Sequence, residues 1–291
     1  MSALAEAVLD WLWRTTFATA IEALAVGGAL LVFGLLLYCL ERRAFAVMSQ
    51  AFGEKATVVA TGWIGTTVHE LSHALMCLVF RHKITEISLF SPDTESGVLG
   101  YVRHAWDKGS LYQNLGLFFI GIAPLMIGSA LLVGLGYALA PGFGDVVETA
   151  AGMPGPASGA GVGAYLSWLT GLAREAAGTL FAPGQFRRWQ LWAFLYVSVS
   201  VASHLSPSPA DLRGSWLGLG IIASLLLAVN GALVALGAAP LDYFYGSGRY
   251  LGIGAGLMAL AVLLSATAFL VSWAVSAVWH VLRGKGMLWP V

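Results

Sequence analysis

The sequence predicts an all-α polytopic membrane protein with about six transmembrane helices and a membrane-associated β-hairpin after the second of them. Composition is the first reason. Of the 291 residues, 58% are hydrophobic and 10% charged, with a mean hydropathy of +0.79. Soluble domains run near 45–50% apolar and about 25% charged. The second reason is that apolar runs recur at lengths close to the roughly 20 residues that cross a ~30 Å hydrocarbon core. Fifteen basic residues balance fifteen acidic ones, so no charge excess marks a nucleic-acid partner. A soluble enzyme, a DNA binder and a disordered scaffold all fit poorly. The lipid bilayer is the expected surroundings.

Residues 1–14 set Leu4, Val8, Trp11 and Leu12 against Glu6 and Asp10, the pattern of an interfacial amphipathic helix. No basic stretch precedes the first apolar run, because Glu6 and Asp10 come before Arg14, so that run is read as retained rather than cleaved. It covers roughly 17–40 and stops at Glu41-Arg42-Arg43. Five further runs follow at roughly 57–80, 111–140, 189–205, 214–237 and 250–281. The fourth of the six is short, and the last is long enough to tilt. Cys39 and Cys77 lie in apolar runs and read as inert packing residues.

The segment 84–106 differs in kind. Ile84 to Phe90 alternates apolar and polar residues, and Val98 to His104 partly does so, around a turn-rich Ser91–Gly97. That pattern predicts a β-hairpin at one membrane face. Pro141 to Gly163 reads as a flexible Gly/Ala/Pro loop, and 165–181 as a second interfacial helix. The expected organisation is an N-terminal unit over 1–56, a core over 57–237 and a C-terminal helix over 238–291. Six spans put both termini on one side, where the basic residues number eight against seven opposite. This narrowly favours cytoplasmic termini.

The second run contains His69-Glu70-Leu71-Ser72-His73. Residues four apart share a helix face about 6 Å apart along the axis, so both imidazoles can grip one tetrahedral metal. Glu70 stands beside them as a general base for water. A carboxylate and two imidazoles in an apolar helix are expensive unless they face a bundle interior or a wet cavity. The bland alternative is a hydrogen-bonded cluster joining helices. Catalytic zinc generally has three protein ligands plus water, so the third must come from elsewhere. Cys77 continues the line from His69 but lies about 12 Å along the axis from it, too far to share the ion. His204 to Gly214 interrupts the apolar pattern with Pro207 and Pro209. Unwound backbone at membrane depth is tolerated where it lines a cavity. Asp211 there could supply an oxygen ligand, with His204 close by.

Together these motifs resemble the site-2 proteases, intramembrane zinc metalloproteases that pair a membrane HExxH with a later Asn-x-x-Pro-x-x-x-Asp-Gly type motif. Counting back from Asp211, Pro207 falls on the family's proline and His204 on its asparagine. The resemblance covers about residues 57–237. It assigns one Zn²⁺ per chain to His69, His73 and Asp211, and the general-base role to Glu70. It implies hydrolysis of a peptide bond in or near a transmembrane segment of a protein or peptide substrate. The hairpin resembles the membrane-associated β element of that family, which lies on the cytosolic side. The departures are His204 for asparagine and Ala210-Asp211-Leu212-Arg213-Gly214 for a tighter Leu-Asp-Gly. His204, with the unwound segment around Pro207, could stabilise an oxyanion or position substrate. An edge of the hairpin, probed at Ile87 and Val102, could pair with an opened substrate strand.

The other histidines read more plainly. His82 and His104 stand beside Arg81, Lys83 and Arg103 and are expected as interfacial cations, and His280 as an anchor with Trp279. Asn230 reads as an interhelical hydrogen bond. Two rival functions stay open. A CaaX-type protease would take a glutamate as third ligand, but the later glutamates Glu148 and Glu175 lie in the loop before the fourth run. A catalytically silent metal-binding scaffold would need no active Glu70. Rich Ala, Gly and Leu usage points to a bacterial inner membrane.

Overall fold

The computed structural model describes residues 3–91, 98–154 and 161–284. Helices dominate: α1 (Ala3–Phe52), α2 (Glu54–Val79), α3 (Leu111–Gly121), α4 (Ala123–Leu139), α5 (Phe143–Ala151), α6 (Val162–Leu180), α7 (Trp189–Ala202), α8 (Pro209–Ala235), α9 (Pro240–Gly246) and α10 (Gly248–Leu282). Strands β1 (Lys83–Ser88) and β2 (Tyr101–Ala105) sit between α2 and α3. Among the described residues three helices are long and apolar enough to cross a membrane: α1, α8 and the stretch Tyr250–Leu282 of α10. The α3–α4 pair passes the same test if its two halves count as one span. The chain is therefore an all-α membrane protein.

Several elements depart from the sequence expectation. The interfacial helix 1–14 and the first run are one continuous helix of 50 residues, about 75 Å long. Glu41-Arg42-Arg43 can end a membrane span, but charge does not break a helix, and no proline intervenes. The run 57–80 forms α2, which is not among the helices apolar enough to cross. His69, Glu70 and His73, together with Thr57, Thr61, Thr66 and Thr67, lower its hydropathy. The run 189–205 forms α7, whose 14 residues span only about 21 Å. Part of the expected loop 141–163 is helical as α5, and the short α9 precedes α10.

The run 111–140 is broken at Ile122, where α3 and α4 meet at 57°. Pro124 occupies the first turn of α4, where its missing N–H is tolerated, whereas within a continuous helix it would remove a hydrogen bond. Likewise Pro209 begins α8 rather than ending a helix, behind a Ser208 cap.

The two strands pair antiparallel, Lys83 with Ala105 through Ser88 with Tyr101, with an irregularity between Ile84 and Glu86. The residues expected as the turn, 92–97, lie outside the described set. The main apolar core joins α4, α5, α6, α7 and α10 through Leu132, Phe143, Leu172, Leu191, Phe194 and Leu260. Helix α1 is tied to α8 by polar contacts. Asn230 Nδ2 donates to Glu22 Oε2 (2.7 Å) and Thr19 Oγ1 (3.0 Å), and Trp11 Nε1 donates to the Gly231 carbonyl (2.9 Å). The interhelical role expected of Asn230 is thus present, and Glu22 is its partner.

Candidate metal centre

Helix α2 presents His69 and His73 one turn apart, with ring centroids 4.9 Å apart. Each ring is aimed by a backbone carbonyl from another element. His73 Nδ1 lies 2.7 Å from the Ile120 carbonyl, and His69 Nδ1 lies 2.7 Å from the His204 carbonyl. Both carbonyls lack their helical donor four residues on, for a reason legible in the chain. In a continuous helix the donor to Ile120 would be the N–H of residue 124, and Pro124 has none. The donor to His204 would be the N–H of Ser208, but the chain has left the helix and that N–H donates to Asp211 Oδ2 (2.6 Å).

A carbonyl only accepts, so each Nδ1 must carry the hydrogen and, in a neutral ring, each Nε2 is left bare. The two Nε2 atoms face each other at 3.2 Å. Asp211 closes the triangle, with Oδ1 at 3.3 Å from His73 Nε2 and Oδ2 at 3.5 Å from His69 Nε2. Asp211 is fixed by a reciprocal cap: Ser208 Oγ accepts from its N–H while its carboxylate accepts from Ser208 N. Three acceptor atoms converging in this way call for a cation between them. A tetrahedral zinc with bonds of about 2.0–2.1 Å holds its ligand atoms about 3.3–3.4 Å apart. The His₂Asp set therefore fits zinc in donor type and in spacing.

Glu70, 7% exposed, lines the same cavity of about 640 Å³. Gly100, just before β2, leaves room for it: a Cβ there would meet Glu70 Cγ at 2.8 Å and Thr66 Cγ2 at 2.8 Å. Gly65 plays a similar part between helices, because a Cβ there would overlap the Ser200 carbonyl and the His204 ring. Asp211, His69, Glu70 and His73 are thus brought together as the sequence predicted.

His204 contributes differently. Its carbonyl orients His69, while its ring Nδ1 is 3.0 Å from the Ser200 carbonyl, so the fixed group aimed at the triad is backbone rather than imidazole. Pro207 is not among the residues lining the cavity. It lies between Ser206, whose N–H donates to Glu41 Oε2 (3.0 Å), and the Ser208 cap. Ile87 and Val102 are each other's partners across the sheet. Tyr101, Val102 and His104 of β2 line the cavity, so β2 is the strand beside the site.

Sequence reasoning missed Glu41, which reaches the cavity from α1 and holds the unwound segment. Its only signal was a carboxylate at the end of a span, which reads as a stop. His82 and His104 are not solvent-facing groups: His82 is 4% exposed. Burial, and then the neighbouring His82 and His73, push the His104 imidazole down to about 4, so it is neutral at physiological pH. Comparison with known protein families, curated proteins and solved structures finds no match for this chain.

Proposed function

We propose that the chain is a zinc-dependent intramembrane endopeptidase of the site-2 protease type, acting on a peptide bond in or near a transmembrane segment. The observation that carries this is the convergence of two imidazole Nε2 atoms and the Asp211 carboxylate beside Glu70 in one cavity. The proposed topology has six spans, α1, α2, the α3–α4 pair, α7, α8 and α10, with the two-stranded sheet as a hairpin at the cytosolic face. The termini would be cytoplasmic, in a bacterial inner membrane.

His69, His73 and Asp211 would hold a zinc ion, which would supply Lewis-acid polarisation of a carbonyl and acidify water. The chain's own residues do the remainder. The carbonyls of Ile120 and His204 hold the imidazoles in one tautomer and orientation. Glu70 accepts the proton of the attacking water as its oxygen bonds the scissile carbon, and returns a proton to the amine as the C–N bond breaks. The edge of β2 beside the cavity offers backbone groups to an unwound substrate strand. The CaaX-type alternative needs a glutamate ligand from a later helix, and neither Glu148 nor Glu175 lines the cavity; Glu41, which does, precedes the HExxH helix and accepts from Ser206 N.

The test is reconstitution of the protein in lipid vesicles with single-span helical peptides, read by mass spectrometry. The parent should cut, Glu70→Gln should keep its metal and lose cleavage, and Asp211→Asn should lose both. Cleavage that survives Glu70→Gln would refute the mechanism. Metal at this site with no cleavage by the parent would replace the protease with the silent scaffold.

A further inference from the structure

A second group of metal-binding side chains lies at the far end of α2. Cys77 is fully buried, and five residues later the chain turns back on itself. Arg81 adopts a left-handed conformation (φ 59°), and His82 N donates to the Cys77 carbonyl at 2.8 Å. That backbone is strained for a side chain other than glycine, and it sets the His82 ring against Cys77. His104 arrives from β2, opposite Ile84, and its Nδ1 lies 2.9 Å from His82 Nδ1. One ligand atom each from Cys77, His82 and His104 lies within 4.8 Å of the others.

The surroundings repeat the logic of the first centre. The far nitrogen of His82, Nε2, donates to the Gln113 carbonyl at 2.8 Å, so Nδ1 is its acceptor face, which takes the His104 Nδ1–H until an ion displaces that proton. A carbonyl behind a ligating imidazole is the usual outer partner of a metal site. Trp106 stacks on His82 (5.9 Å, 13°) and flanks His104 (5.8 Å), closing one side with an aromatic wall. His104 and Trp106 line the cavity, whereas Cys77 and His82 lie buried behind them. One thiolate with two imidazoles is a borderline-soft set that suits zinc. The two Nδ1 atoms need part by only about 0.4 Å to span a tetrahedral edge.

We propose that Cys77, His82 and His104 form a second metal site, for a zinc-class divalent cation, that pins the two-stranded sheet to the end of α2. On binding, the Cys77 thiol gives its proton to solvent and the thiolate bonds the ion. The site is independent of the His₂Asp centre in its ligands, so each can fail alone.

The experiment is metal analysis of detergent-purified protein, with cobalt(II) exchanged in as a spectroscopic probe. The parent should carry about two ions per chain, and Cys77→Ser and His104→Ala each about one. Cobalt-loaded parent and Asp211→Asn should both show near-ultraviolet thiolate-to-cobalt charge transfer, and Cys77→Ser should show none. Cys77→Ser changes a single atom, and its retained ion at the His₂Asp centre reports that it has folded. Metal content unaffected by Cys77→Ser, with no charge-transfer band in the parent, would overturn the proposal. If only the first centre is wrong, Asp211→Asn loses no metal while Cys77→Ser still does.

Discussion

Replacing Pro124 by alanine tests whether a missing backbone N–H is what tunes the His₂Asp centre. The Ile120 carbonyl is open to His73 Nδ1, at 2.7 Å, because residue 124 has no donor to offer it. An alanine at this position would restore that donor in helical register and favour straightening of the 57° break. His73 would then lose or share the acceptor that fixes its tautomer. Loss of such an outer partner typically weakens metal affinity about 10–100-fold, which is about 1.4–2.7 kcal/mol of binding free energy. The assay is competition with a chromophoric chelator, reading zinc at the His₂Asp centre in a Cys77→Ser background so that only one site titrates. Pro209→Ala is the control, since Pro209 stands at the start of α8 where an N–H has no helical acceptor. Pro124→Ala binding zinc as tightly as the control would refute the reasoning.

Three other perturbations follow from contacts described above. Gly100→Ala would press on Glu70 Cγ and Thr66, so zinc content should hold while, on the proposed role of Glu70, kcat falls by about 10–100-fold, since misplacement by about 1 Å can cost about 100-fold. In Gly65→Ala the added methyl meets the Ser200 backbone as well as the His204 ring. α2 and α7 should part at a cost of about 1–3 kcal/mol, seen as a lower melting temperature with loss of His₂Asp zinc. Asn230→Ala leaves the buried Glu22 carboxylate without its 2.7 Å donor. It should cost about 1–2 kcal/mol in reversible detergent unfolding, with metal content unchanged.

The part of the site that rests on helical periodicity was legible without coordinates. Spacing alone puts His69 and His73 on one face with Glu70 beside them, and composition alone places them in a membrane protein. Asp211 was legible through its prolines and its resemblance to a known motif. What spacing could not show is which carbonyls aim the rings, because Ile120 and His204 lie 47 and 135 residues away in sequence. Pro124 was visible as a proline, but its effect depends on which acceptor four residues earlier it leaves free. Glu41 was hidden because a carboxylate beside two arginines at the end of a span has a sufficient local explanation.

His82 and His104 were misread from their neighbours. Successive residues of a strand point to opposite faces, so Arg103 being exposed argues that His104 is turned inward. The continuous α1 was missed because hydropathy marks where lipid ends, whereas helices end at caps and prolines.

The carbonyl props behind His69 and His73 also set the order of events during synthesis. A ribosome delivers the HExxH helix long before it delivers the break at Ile120, the unwound turn at His204 or the Asp211 carboxylate. Until residue 211 has emerged and α8 has docked against α3, the nascent chain holds two imidazoles without their third partner. The centre therefore cannot assemble before residue 211 emerges, and a chain stalled short of that point is born without it, whereas α10 joins the core later still.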